Sequence, residues 1–149
     1  MEEIMATEQR YKKAKILRDY MIQADVLKMF KEDEKDDTIF FRTAYTMAGD
    51  RKQVVLAIND SVYLGLQALL VQNVPAEKNA EVLAYLNECN LELPTVKYVL
   101  TKDQAVVASM FFTADEKTIL PQMIIGGTMQ VLKNVAERHY SKLKDIIGE

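Results

Sequence analysis

The sequence predicts an α+β domain in the order α-β-β-β-α-β-β-α, an antiparallel five-stranded sheet with helices packed on it. Three observations predict it. Two long stretches near the ends carry apolar residues at threes and fours, the middle is rich in β-branched and aromatic residues between turn signals, and a shorter helical stripe interrupts the strands. With 149 residues, 49% hydrophobic and 28% charged, and only 5 Gly and 3 Pro, the chain has the size and composition of one globular domain, residues 1–149.

From about Thr7 to Lys31 there is neither Gly nor Pro, and Tyr11, Ala14, Leu17, Met21, Ala24, Leu27 and Phe30 recur on one helical face. Thr7 is placed to cap this helix, and the run "KEDEKDD", residues 31–37, reads as its solvated end and turn. Three strands are predicted next, about 39–48, 52–59 and 62–73, separated at Gly49-Asp50 and Asn59-Asp60. Alternation assigns Phe41, Tyr45, Met47, Val54, Leu56, Ile58, Val62, Leu64 and Leu66 to the core face. The opposite face receives Arg42, Thr46, Gln53, Asn59 and Gln67, but also the apolar Phe40, Val55, Tyr63 and Leu69.

Pro75 ends the third strand, and a helix over about 76–90 follows, with Val82, Leu83, Leu86 and Cys89 on its stripe. Asn90 lies where a left-handed residue can close it, ahead of Pro94. "TVKYVLT" and "AVVASMFFT" form a hairpin across Lys102-Asp103. The closing helix, Ile119 to Ile147, carries Ile124, Val131, Leu132, Val135, Leu143 and Ile146 on its stripe.

The residue types exclude more functions than they suggest. A net charge of -3 and a pI near 5.3 offer no general attraction to nucleic acid or anionic lipid. One cysteine makes no internal disulfide, the first thirty residues hold no continuous apolar signal segment, and Val62 to Ala76 is too short to span a bilayer, so a cytoplasmic protein is expected. Cys89 shares its stripe with Leu86 and Val82, where a thiol stays protonated, and His139 is expected as a satisfied core-edge imidazole. Asn87 and Asn90 read as helix-end hydrogen-bonding residues. One His and one Cys make no usual zinc set, and the acidic residues lack calcium-loop spacing. Gly126-Gly127 lacks the lysine of a phosphate loop and reads as a helix start or kink close to the sheet. No catalytic residue, metal site or cofactor is expected.

The element order, with "VLAYLNECNLELPTVKYVLTKDQAVVASMFF" and the long closing helix, resembles the YbjN-like family over roughly residues 16–147. The "YLNECN" helix end followed by a two-stranded hairpin is its most specific piece. The resemblance implies the fold of the type III secretion chaperones, commonly dimeric and used to hold or regulate other proteins, with no catalytic residues to carry over.

The expectation is therefore a non-enzymatic, chaperone-like or adaptor homodimer that binds a protein partner. Phe40, Val55, Tyr63 and Leu69 are the candidate partner or dimer contacts, because an apolar patch on an uncovered sheet face commonly marks an interface. A ligand-responsive regulator with a small-molecule pocket between sheet and helices is the second reading. An enzyme centred on Cys89 is the third, and it would need an activated thiolate.

Overall fold

The computed structural model describes residues 9–148, apart from the side chains of Val131, Ala136 and Glu137. The proposed Thr7 cap and the Val131 stripe position lie outside the described residues. In chain order the elements are α1 (Gln9–Gln23), β1 (Lys31–Lys35), β2 (Thr38–Met47), β3 (Asp50–Ile58), β4 (Tyr63–Val71), α2 (Asn79–Glu92), β5 (Lys97–Leu100), β6 (Val106–Thr113), α3 (Pro121–Val135), a π-helical turn (Ala136–Tyr140) and α4 (Ser141–Ile147). The strands form one six-stranded antiparallel sheet in the order β1-β2-β3-β4-β6-β5, with helices packed on it. The α+β class holds, and the sheet has one strand more than expected.

That strand is the charge run. Helix α1 stops at Gln23, eight residues short of the expected end, because Asp25 turns left-handed at φ 58° and the chain leaves through a short 3₁₀ turn, Leu27–Met29. Residues Lys31–Lys35 then pair antiparallel with β2, Lys35 opposite Thr38 and Lys31 opposite Arg42. Asp36 and Asp37 both take positive φ, 52° and 60°, which is the turn geometry whose twist matches paired strands. All five β1 residues are exposed. Backbone pairing, which ignores side-chain polarity, outweighs the low strand propensity of Glu, Asp and Lys here, and an edge strand of charged residues repels further strands.

The chain divides into two compact units. The first contains the chain through Thr43, Val55–Leu66 and Phe111–Thr128, and its buried residues include Ala14, Leu17 and Met21 from α1, Phe41 from β2 and Leu56 and Leu64 from the sheet. The second contains Ala44–Val54, Gln67–Met110 and the chain from Met129, and its buried residues include Val82, Leu86 and Cys89 from α2, Tyr98 from β5, and Tyr140 and Leu143 from the closing segment.

Several side chains depart from the expected faces. Val62 is exposed, since it lies in the bend before β4 rather than in the strand. Tyr45 is only half-buried. Leu83 is exposed while Tyr85 joins the expected Val82, Leu86 and Cys89 on the buried side of α2, and Ile147 rather than Ile146 is buried in α4. Helix α2 continues to Glu92, so Asn90 is helical and not left-handed. Its carboxamide instead accepts from the Tyr98 N–H at 2.7 Å and donates to the Tyr98 carbonyl at 3.2 Å, satisfying the backbone of β5 as a neighbouring strand would. Gly126 and Gly127 lie inside α3, and nothing is within 4 Å of a Cβ built on either, so no close backbone approach explains them.

Candidate functional site

In the first unit, Phe40 alternates with buried Ile39 and Phe41 on β2, Val55 with buried Val54 and Leu56 on β3, and Tyr63 and Gly65 with buried Leu64 and Leu66 on β4. The period-two pleat therefore puts Phe40, Val55 and Tyr63 on the face opposite the core. Phe40 and Val55 are half-buried, and Tyr63 is 56% exposed. Leu69, the fourth expected residue, is half-buried on β4 in the second unit and lines a groove there.

Sequence reading missed Phe111, which is 60% exposed. Its ring lies over Gly65: a Cβ at that glycine would sit 3.0 Å from Phe111 Cε1. An aromatic ring shielding a glycine on the neighbouring strand restores the packing that the missing side chain gives up. The Ala114 N–H donates to the Val62 carbonyl at 2.6 Å, which fixes β6 beside β4 at this end. On β2, the Arg42 guanidinium stacks 4.6 Å from the Phe40 ring centroid while its Nε donates to Asp33 at 2.8 Å. The face is thus apolar and aromatic with a charged margin, the composition of protein interfaces.

Behind it, α1 is tied to the unit by polar side chains. The Arg10 N–H donates to Asp60 Oδ1 at 2.9 Å, and its guanidinium reaches Asp60 at 2.6 Å and Glu34 at 3.2 Å. Tyr11 donates to Glu34 at 2.6 Å, which together with Arg10 holds the Glu34 carboxyl below the usual carboxylate range. Lys13 is fully buried, and its Nζ donates to the carbonyls of Ser61 at 2.7 Å and Tyr63 at 3.2 Å. Burial pulls the Lys13 ammonium below the ordinary lysine range, against the opposing pull of Asp60 and Asp115. With both carbonyls bound and no exposed surface, this amine has no route to a substrate and serves to fix the strand that presents Tyr63.

In the second unit, Cys89 is buried against the Tyr85 hydroxyl, and burial pushes its thiol above the ordinary range. His139 is buried with both ring nitrogens engaged, Nδ1 at 2.7 Å from the Tyr98 hydroxyl and Nε2 at 2.9 Å from Glu92 Oε2. Burial raises the Tyr98 phenol strongly, so the phenol keeps its proton, and the ring is held between that hydroxyl and the Glu92 carboxyl. Both nitrogens are taken by other partners, and among the described residues no cation lowers the Cys89 thiol toward thiolate. Native protein is expected to react with a thiol reagent only slowly, becoming stoichiometric in denaturant, with the Cys89→Ala variant still folded. Labelling of native protein as fast as free cysteine would contradict this. Among the described residues no three His, Cys, Asp or Glu side chains gather as a metal site, and no described helix is long and apolar enough to cross a membrane.

A family model named YbjN, described as "Putative bacterial sensory transduction regulator", matches residues 14–124. No curated protein matches the chain.

Proposed function

The chain belongs to the YbjN family, and from that premise we propose that it is a non-enzymatic regulatory module, an adaptor with chaperone-like character, that works in the cytoplasm as a homodimer and binds a protein partner. The observation that carries the reading is the uncovered aromatic face of the first unit, with Tyr63 and Phe111 both more than half exposed beside Phe40 and Val55. A planar ring offers large apolar area with few rotatable bonds to freeze, so such residues anchor interfaces, and truncating one often costs about 2 kcal/mol or more of binding.

Strand addition is disfavoured at both edges, because "KEDEK" presents five exposed charged residues along β1 and the Asn90 carboxamide already engages the Tyr98 N–H and carbonyl of β5. On this reading the face of the first unit carries recognition, and Leu69, in the second unit, is a separate proposed contact.

The test is a Tyr63→Ser/Phe111→Ser variant beside the wild-type chain. Light scattering at micromolar concentration is expected to give twice the 17.0 kDa chain mass for the wild type, and pull-down from the native host a partner that the variant fails to retain. The melting temperature is expected to fall by no more than a few degrees, since both side chains are more than half exposed and only the Phe111 contact with Gly65 is lost. A wild-type monomer without concentration dependence would overturn the dimer. Equal partner capture by both proteins would overturn the face.

A further inference from the structure

Helix α2, in the second unit, carries apolar residues on two opposite faces. Val82, Tyr85, Leu86 and Cys89 are buried. At 3.6 residues per turn, Ala80, Leu83, Ala84, Asn87 and Leu91 fall within about 100° of arc on the other side, and all five are exposed. Leu91, at 79%, is the most exposed large apolar side chain among the described residues, and Leu83 is 52% exposed about two turns before it. Single exposed leucines are ordinary, but apolar positions at threes and fours along about three turns are the pattern by which one helix packs on another. Asn87 sits inside the helix within this stripe, and its side chain makes no hydrogen bond among the described residues. We propose that the outer face of α2 docks a basic amphipathic helix of a protein partner.

Charge decides the occupant. Helix α2 contains Glu81, Glu88 and Glu92 and neither Lys nor Arg. Glu81 and Glu88 border the stripe on one flank, both exposed and without an ion pair among the described residues. Glu88 also stands four residues from Glu92, a like-charge spacing that is mildly unfavourable on a helix unless a cation answers it. Arg138 and His139 hold Glu92 at 3.0 and 2.9 Å, and Lys142 lies over the Tyr85 ring at 5.2 Å, so no cation of the described chain reaches Glu81 or Glu88 within ion-pair distance. Lys or Arg beside the partner's apolar stripe would pair with both carboxylates, while its apolar side chains cover Leu83 and Leu91 and the Asn87 amide sets the register. A second copy of the chain fits less well. Two α2 helices paired antiparallel about a two-fold axis bring like flanks together, so Glu81 and Glu88 meet their own copies. Paired parallel, they meet the flank of Asn79 and Asn90, which holds no cation.

The inference stands apart from the interaction reading, since Phe40, Tyr63 and Phe111 lie in the first unit and take no part in it. The test is titration of the full chain, followed by amide chemical shifts, with a leucine-lysine peptide of about five helical turns patterned as an amphipathic helix. A twin peptide with glutamate in place of every lysine is titrated beside it. Saturable shifts centred on residues 80–91 are expected for the lysine peptide, at least about tenfold tighter than the twin and weakening as salt rises. Leu83→Ser/Leu91→Ser is expected to weaken the lysine peptide by about tenfold or more, and Glu81→Gln/Glu88→Gln by about threefold or more while flattening its salt dependence. Both variants change only exposed side chains. Tyr63→Ser/Phe111→Ser is expected to leave this affinity unchanged. Equal affinity for the two peptides, shifts centred on the sheet of the first unit, or binding undiminished in either α2 variant would each overturn the proposal. Shifts in α2 that depend on protein concentration without peptide would give the face to a second copy and overturn it as well.

Discussion

Replacing Lys13 with alanine is expected to lower the unfolding free energy by about 3 kcal/mol, the sum of a truncated buried stem and the lost ammonium hydrogen bonds to two carbonyls. Lys13 is fully buried, and its ammonium serves Ser61 and Tyr63 across the bend that starts β4. Alanine opens a void where the stem passed and takes the ammonium donor from both oxygens. Lys13→Met separates the two contributions, because it keeps most of the stem and removes only the donor, and it is expected to cost roughly half as much. Urea unfolding followed by circular dichroism reads both values, and for a chain of this size the alanine variant should melt about 6–12 °C lower. A change below about 0.5 kcal/mol in the alanine variant would mean that water replaces the ammonium at no cost. Since Tyr63 follows this bend, the same variant is expected to weaken partner binding through the proposed face even where it remains folded.

The second large effect belongs to His139, which α2, β5 and the π-helical turn enclose together. Its ring nitrogens pair with the Tyr98 hydroxyl and Glu92, the ring packs edge-on against Tyr98 and Tyr85 at centroid distances of 5.3 and 6.2 Å, and its backbone carbonyl accepts from the Tyr85 hydroxyl. His139→Ala leaves the buried Tyr98 hydroxyl without a partner and opens a cavity, for an expected loss of about 3 kcal/mol. Tyr98→Phe removes the same hydrogen bond from the other side. The double variant is expected to lose about 1 kcal/mol less than the two single losses combined, and strict additivity would show that the pair does not interact.

Glu92 adds a pH signature. Hydrogen bonding from His139, then from Arg138, lowers the folded-state pKa of its carboxyl below the ordinary value. A carboxylate so depressed contributes stability that is fully present above its unfolded pKa and is lost as pH falls through the folded one. Wild type and Glu92→Gln are therefore expected to differ most in stability at neutral pH and to converge in acid, below the ordinary carboxylate range. A gap that persists unchanged at acid pH would assign the effect to packing instead.

Much of this was legible in the residues themselves. Alternation located β2, β3 and β4 within about two residues at each end and separated Phe40, Val55 and Tyr63 from the core face, because one buried face of a sheet imposes a period of two on the sequence. The burial of Cys89 and His139 followed from their places on helical stripes. Phe111 was legible only as part of a strand, since "SMFF" alternates too little to reveal which face each ring takes. The partners of His139 were out of reach as well, because Glu92 and Tyr98 lie more than forty residues away in the chain.

The sequence by itself determined the α+β class, the positions of the helices and central strands, and the family, since these rest on periodicities and turn residues that act locally. Tertiary structure alone decided that "KEDEK" is an edge strand, that Lys13 is buried and that Phe111 shields Gly65. Each of these depends on a partner supplied by another segment. A strand of charges forms because β2 offers its backbone, and an ammonium is buried because two distant carbonyls receive it. No local propensity encodes such an exchange of water for protein partners.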